Sequence, residues 1–454
     1  MNHILPTLQA IDHFIWGAPL LILLVGTGIY FTFRLSIIQI RHLPTALKLV
    51  FGKSDEHSSQ GDVSSFSALC TALSATIGTG NIVGVATAIQ LGGPGALFWM
   101  WIAALFGMST KYAECLLAVK YRRKDSNGQM LGGPMYYLED GLKSKPLAIL
   151  FSVFALAVAC FGIGTFPQVN AIVSAGTLSF GVPTPIIATT LTLIVALVTI
   201  GGIKSIAKVA EKVVPTMAIF YVVMCLLIIF IQADQLLAAF QLVLSSAFNL
   251  QAIGGGAFGG AMMLAIQAGV SRGVFSNESG LGSAPIAAAA AQTGSPAKQG
   301  LISMTGTFFD TIIICTMTGL ALILTGAWQS GLNGAAMTSE AFSVGLSATY
   351  GPILLATGLA FFAFTTILGW HYYGERCVVY LFGTKAVKWY KGAFIALIAS
   401  GSFLHLDVIW VIADIVNGLM AIPNLIGLLA LRHVVRRETQ AYFGQKIRPE
   451  IHGI

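Results

Sequence analysis

Apolar runs recur along almost the whole chain, near residues 14–33, 65–90, 95–119, 147–180, 183–200, 213–232, 252–290, 300–327, 351–374, 392–404 and 407–431. A bilayer core takes about 20 helical residues to cross. Inside it every backbone N–H and C=O must find a partner in the protein, which leaves only helices or closed barrels as spanning forms. The alternating ten-residue segments of a barrel are absent, so the spacing predicts an all-α polytopic membrane protein with about 11 transmembrane helices. With 56% of its 454 residues apolar and 9% charged, the chain has too little polar surface for a water-soluble fold.

Threading these runs back and forth places the cationic loops on one side. Arg34 to Lys53, Lys111 to Lys145, Lys204 to Lys212, Lys298, Arg376 to Lys391 and Arg432 to Arg448 all fall there, and Arg272 alone lies inside a long run. By the positive-inside rule that side is the cytoplasm. The expected topology is an outside amino terminus and a cytoplasmic carboxyl terminus in a plasma membrane of the bacterial inner-membrane type, with a short outer lid over 328–350. The run from Trp16 to Phe33 is expected to be a first membrane helix rather than a cleaved leader, because no Lys or Arg precedes it. A net charge of +7 spread between apolar runs is no nucleic-acid footprint. The six cysteines stand singly, without metal or disulfide spacing, and read as inert thiols.

The segment Ser65 to Gln90 packs Gly78, Gly80 and Gly84 with Thr76, Thr79 and Asn81 at mid-membrane depth. Each glycine weakens a helix by about 1 kcal/mol, so this helix is expected to unwind. Unwound backbone persists in a bilayer only where protein or a polar cavity satisfies it. Freed amides at a half-helix amino end suit a carboxylate, and freed carbonyls suit a cation. Close packing through small residues is the competing reading. A dinucleotide loop is excluded, since no soluble strand precedes the glycines. A second segment, Ala252 to Ala291, is interrupted by Gly269, Ser271, Arg272, Gly273, Ser276, Asn277 and Glu278, with the unpaired backbone expected around Gly269. It lies about five crossings later, and two interrupted helices in corresponding places point to an inverted repeat with a site at the midplane.

The strings GTGNIVGVATAIQLGGPGALFWMW (Gly78 to Trp101), GVSRGVFSNESGLGSAPIAAAAA (Gly269 to Ala291) and FTTILGWHYYGERC (Phe364 to Cys377) resemble the sodium:alanine (alanine or glycine:cation) symporter family of the amino acid–polyamine–organocation superfamily. The resemblance spans nearly the whole chain. It implies a 5+5 inverted repeat of the leucine-transporter type with one extra N-terminal helix, and coupling to sodium. The organisation it implies is 1–64 for the extra helix and a cytoplasmic linker, 65–232 and 252–431 for the two repeats, and 432–454 for a basic cytoplasmic tail.

The resemblance also implies that the amides of Gly78, Thr79 and Gly80 receive a substrate carboxylate, with Thr76 and Asn81 beside it. Carbonyls near Ser74 and Ile77, facing the Thr365 and Thr366 hydroxyls, would hold sodium, a hard cation that takes oxygen ligands. Hydroxyls bonded back to their own helix are the alternative for both threonines. Gln168 is the candidate for a further substrate contact, an interhelical bond being its alternative. Gly269, Phe275 and Asn277 are candidates for the amino group and the side-chain pocket, which Phe166 and Trp370 would help close.

Ionisable groups inside membrane segments are functional candidates in their own right. Arg272 is expected to pair with Glu278, either as a cytoplasmic gate or as a static pair. Glu114 is expected near Lys111 at a helix end, and His371 at the membrane interface. Asp310 and Asp414 are open to cation, proton or structural roles. Together with these features, the resemblance implies a symporter for a small neutral amino acid, alanine or glycine with D-alanine or serine as further candidates, driven by sodium through alternating access. Proton coupling is the alternative. An intramembrane enzyme or a channel finds no nucleophile, metal or filter pattern, and neither a catalytic residue nor a cofactor is expected beyond the sodium ion itself.

Overall fold

A computed structural model describes residues 4–52, 60–248, 258–402 and 407–444. The repeat boundary expected at 252 and the last part of the tail, 445–454, lie outside those residues. In chain order the helices are α1 (Ile4–Ile15), α2 (Ala18–Arg34), α3 (Ser65–Thr76), α4 (Val85–Gly92), α5 (Gly95–Lys120), α6 (Lys145–Phe161), α7 (Phe166–Phe180), α8 (Thr184–Ile200) and α9 (Gly202–Ile231). They continue as α10 (Leu236–Phe248), α11 (Phe258–Asn277), α12 (Ala284–Ala288), α13 (Pro296–Thr307), α14 (Thr316–Leu324), α15 (Gly334–Gly345), α16 (Tyr350–Phe382), α17 (Val387–Gly401), α18 (Asp407–Ala430) and α19 (Arg432–Tyr442). A two-stranded hairpin pairs Arg123 with Leu131 beyond α5.

Among the described residues, 7 helices are long and apolar enough to cross a membrane, and one bent pair, Ser65–Thr76 with Gly80–Gly92, makes 8. The other expected crossings are carried by shorter or broken helices: α8 of 17 residues, α11 of 20 and α17 of 15. The fold is thus an all-α polytopic membrane protein. Two features were not expected. The 147–180 run divides at Gly162–Thr165 into α6 and α7, and α10 forms a separate short helix.

Local chemistry sets several of these boundaries. Ser64 caps α3 by accepting the Ser67 amide at 3.0 Å, and Ser295 does the same for Lys298 at 3.3 Å, the usual way a hydroxyl satisfies an orphan amide. Pro296 then occupies the first turn of α13, where it loses no hydrogen bond.

α5 is the buried centre of one layer, packed against α11, α12 and α13, while α16 is the centre of a second layer with α6, α7 and α17. The extra N-terminal span, α1 and α2, joins the first layer by close approach. A Cβ at Gly28 of α2 would lie 2.8 Å from the Phe106 carbonyl oxygen on α5, and Ser109 donates to the Gly28 carbonyl at 2.8 Å. α1 lies on α18, and the Trp16 indole donates to the Asp414 carbonyl at 2.9 Å. The two broken helices pack on each other, α4 on α11 and α3 on α12.

Candidate transport site at the two helix breaks

α3 ends where Ile77 turns extended (φ −76°, ψ 95°), and the chain resumes as a wide π turn over Gly80–Gly84 before α4, bent by 54°. In a continuous helix the Gly78 amide would bond the Ser74 carbonyl. It turns instead to the Asn81 side-chain oxygen at 2.8 Å. The carbonyl end of α3 and the amino end of the half that continues into α4 therefore face each other across Ile77–Gly80. Opposite dipole ends brought together are suited to a cation and an anion respectively.

The second layer supplies side chains to this break. Gln168 donates to the Thr79 hydroxyl and the Ile163 carbonyl, both at 3.0 Å. Its carboxamide oxygen is buried with no partner, and its amide nitrogen is 3.6 Å from where a Gly78 Cβ would stand. An orphaned buried acceptor is costly, so this atom is a ready partner for an ammonium group. On α16 the Thr366 hydroxyl lies 3.0 Å from the Phe362 carbonyl and 3.4 Å from the Ile77 carbonyl. Thr365 points elsewhere: its hydroxyl bonds Phe361 and Phe362 of its own helix and sits 3.5 Å from the Met217 sulfur. Ser74 donates to Thr71 at 2.7 Å, and a Cβ at Gly369 would be 2.8 Å from its hydroxyl oxygen, so α3 and α16 touch at this level. The Ile77 and Phe362 carbonyls thus converge on the Thr366 hydroxyl, three oxygens of the kind a hard cation takes as ligands. Thr76 bonds back to Ala72 and Leu73 at 3.3 Å.

The second break does not lie where the glycines suggested. α11 runs unbroken through Gly269, whose missing Cβ would stand 2.4 Å from the Ala96 carbonyl on α5. Gly269 is a packing glycine, and its backbone belongs to the helix ladder. The chain leaves the helix at Glu278 (φ 56°), followed by Gly280 and Gly282 at φ 86°. Left-handed residues in this series stop the helix outright. Asn277 is spent on the break itself: its side chain donates to Thr311 at 3.0 Å and accepts the Ser279 amide at 2.9 Å.

Other expected pairings are corrected as well. Arg272 grips Asp414 of α18 with both ends of its guanidinium, at 3.0 and 3.3 Å, rather than Glu278. Glu278 accepts from Ser283 and, at 3.1 Å, from the Trp370 indole. Lys111 and Glu114 are buried together at mid-helix, and the Lys111 ammonium sits 2.8 Å from the Asn277 carbonyl. That places a cation on the carbonyl end of α11, where the helix dipole favours it. His371, expected at the membrane interface, is fully buried among protein side chains, packed on Phe394 and Tyr390. Phe166 lies against Gly401 of α17. Asp310 was left open by the sequence, and it bridges both breaks: it accepts from Asn81 at 2.7 Å, Ser276 at 3.0 Å and Thr311 at 2.8 Å.

Two cavities of about 510 Å³ each meet at Thr79 and Val83. One is walled by Gln9 and Asp12 of α1, Gly80, Gln90, Arg272, Phe275 and Asp414, and the other by Asn170, Ser174 and Glu340. Leu91 of α4 also lines the first cavity, which forms a vestibule over the break at Thr79 and Gly80. The Arg272 guanidinium stands 5.4 Å over the Phe275 ring, within the vestibule.

Over residues 1–451 the sequence matches the sodium:alanine symporter family. The chain belongs to that family. It is 62% identical over 437 residues to an uncharacterised transporter of Haemophilus influenzae, covering 96% of this chain and 95% of the relative. It is 50% identical over 442 residues to the sodium/alanine symporter AgcS of Methanococcus maripaludis, covering 96% of each. The solved structure of MhsT in complex with L-phenylalanine superposes with a TM-score of 0.57 over 85% of this chain and 99% of that one, at 13% identity. The fold is accordingly the leucine-transporter type of inverted repeat preceded by an extra helix, and the protein is a multi-pass transporter of the sodium-coupled amino acid class, not an enzyme.

Proposed function

We propose that the chain imports a small neutral amino acid, alanine or glycine with D-alanine or serine as further candidates, together with sodium by alternating access. The observation that carries this reading is the break at Ile77–Gly80, opened to the vestibule through Thr79 and Gly80 and faced by the unpartnered Gln168 oxygen. A zwitterion fits that pattern. Its carboxylate goes to the free amides of Thr79 and Gly80 at the head of the outer half-helix, and Gly78 joins them once Asn81 releases it. Its ammonium goes to the Gln168 oxygen. Sodium takes the carbonyl end of α3 with Ile77, Phe362 and Thr366, and when bound it supplies the positive charge that the break lacks. Phe275 limits side-chain size from the vestibule side. The proposed repeats are 65–232 and 252–431, and the amino terminus lies outside. Right-side-out vesicles should accumulate labelled alanine or glycine when a sodium gradient is imposed, and equal uptake in choline sinks the sodium reading.

A second reading has a specific observation behind it. Asp310 is fully buried and hydrogen-bonded to residues beside both breaks, so a proton there would be sensed by both broken helices. Asp310→Asn should then shift the pH dependence of uptake while leaving sodium dependence intact. An unchanged pH profile removes proton coupling at this residue.

A further inference from the structure

The halves of the two broken helices nearest the basic loops, α3 and α12, are joined by main chain. The Asp62 and Val63 amides both reach the Ala290 carbonyl, at 2.8 and 3.2 Å, and the Gln292 amide returns to the Val63 carbonyl at 2.7 Å, forming a parallel bridge between Val63 and Ala291. Ser65 adds a bond to the Gln292 carbonyl at 3.2 Å. The two strips lie so close that a Cβ at Gly61 would stand 2.4 Å from the Gln292 Cα.

Arg122, two residues past the end of α5, closes over this strip. Its guanidinium donates to four carbonyls: Ala289 at 3.1 Å, Ala291 at 2.7 Å, Gln60 at 2.8 Å and Thr293 at 2.8 Å. Gln60 leads into α3, and the other three follow or end α12, so one planar cation with donors in fixed directions gathers both half-helices onto the end of α5. Charge-assisted bonds of this kind are roughly twice as strong as neutral ones. α3 also packs on α9 through Leu69, Cys70 and Leu73 against Val214 and Met217, and Ser67 donates to Glu211 at 2.6 Å; apolar packing of that kind can slide, whereas the four directed bonds of Arg122 fix a register.

We propose that Arg122 is a positioning residue for transport, welding α3 and α12 into one body so that the two half-helices move together, not singly, as the site opens toward the basic end. The proposal rests on the alternating-access reading above. Its consequence is that Val63 and Ala291 stay neighbours at every stage of the cycle.

The test is the double variant Val63→Cys/Ala291→Cys in membrane vesicles, with sodium-driven uptake of labelled alanine measured before oxidation, after oxidation and after reduction. Bridged partners lie within disulfide reach, and the bond is verified by peptide mass. Uptake should be unchanged by oxidation to within about twofold, whereas a reversible loss of about tenfold or more means the strips must part and overturns the proposal. In the Arg122→Ala background uptake should fall and should recover on oxidation of the same pair, a rescue that a merely structural arginine would not give. If Arg122→Ala fails to fold, the pair in the otherwise unaltered chain still decides. Absence of sodium-driven uptake in the unmodified protein would instead count against the transport reading itself.

Discussion

Thr365 and Thr366 are adjacent and chemically identical, yet only Thr366 comes within reach of the Ile77 carbonyl, while Thr365 is bonded within α16 and lies by Met217. A helix turns 100° per residue, so a shared motif does not give a shared direction. Thr366→Val should raise the half-saturating sodium concentration about tenfold, the effect of losing one oxygen contact to a charge, and Thr365→Val should change it less than about twofold. Uptake measured against sodium concentration separates them. Gln168→Leu keeps the volume but removes the free carboxamide oxygen, and should raise the KM for alanine about tenfold with a smaller change in the sodium response. A KM unchanged by Gln168→Leu would assign the amide to its bonds with Thr79 and Ile163 alone. The first break was legible because Gly78, Thr79, Gly80 and Asn81 crowd helix-weakening residues into one turn. The partner of Arg272 was not, because Asp414 is 142 residues away and only the packing of α18 on α1 and α6 brings it near.

At the scale of elements, small residues carry two meanings that sequence alone leaves mixed. Gly269 lets α11 approach α5, and the sequence reading took it for a break. The real break follows Asn277, where Gly280 and Gly282 adopt φ values that L side chains rarely hold. A closer signal was present in the run Glu278-Ser-Gly-Leu-Gly, since paired glycines spaced by one residue cannot continue a helix cheaply. Gly269→Ala should destabilise the protein by about 1–3 kcal/mol through overpacking against Ala96, lowering its melting temperature in detergent. Gly84→Ala, which has nothing within 4 Å of its added carbon, should leave the melting temperature unchanged or slightly raised. Equal effects from both would remove the packing account of α11 on α5. The number and order of crossings were readable because hydrophobic length is set by the bilayer itself. The division of α6 from α7 was not, because the Gly162–Thr165 turn earns its place by seating against Trp370 of a distant helix: a Cβ at Gly164 would lie 2.5 Å from the Trp370 Cβ.

Across the whole molecule, the segregation of cations makes a topological prediction. A single cysteine replacing exposed Glu340 of α15 should react with an impermeant maleimide in intact cells, whereas one replacing exposed Lys124 should react only after permeabilisation. The reverse pattern would invert the proposed orientation. The native thiols offer little background, since five of them are buried and Cys160 is half-buried. The extra crossing was expected over Trp16 to Phe33, the span of α2; α1 precedes it, and its Gln9, Asp12 and His13 stand in the vestibule wall beside Arg272 and Asp414. A transporter built from the inverted repeat alone would lack that part of the wall. Blocking compounds anchored on Gln9 and Asp12 would therefore have a pharmacological handle that the inverted repeat by itself does not offer.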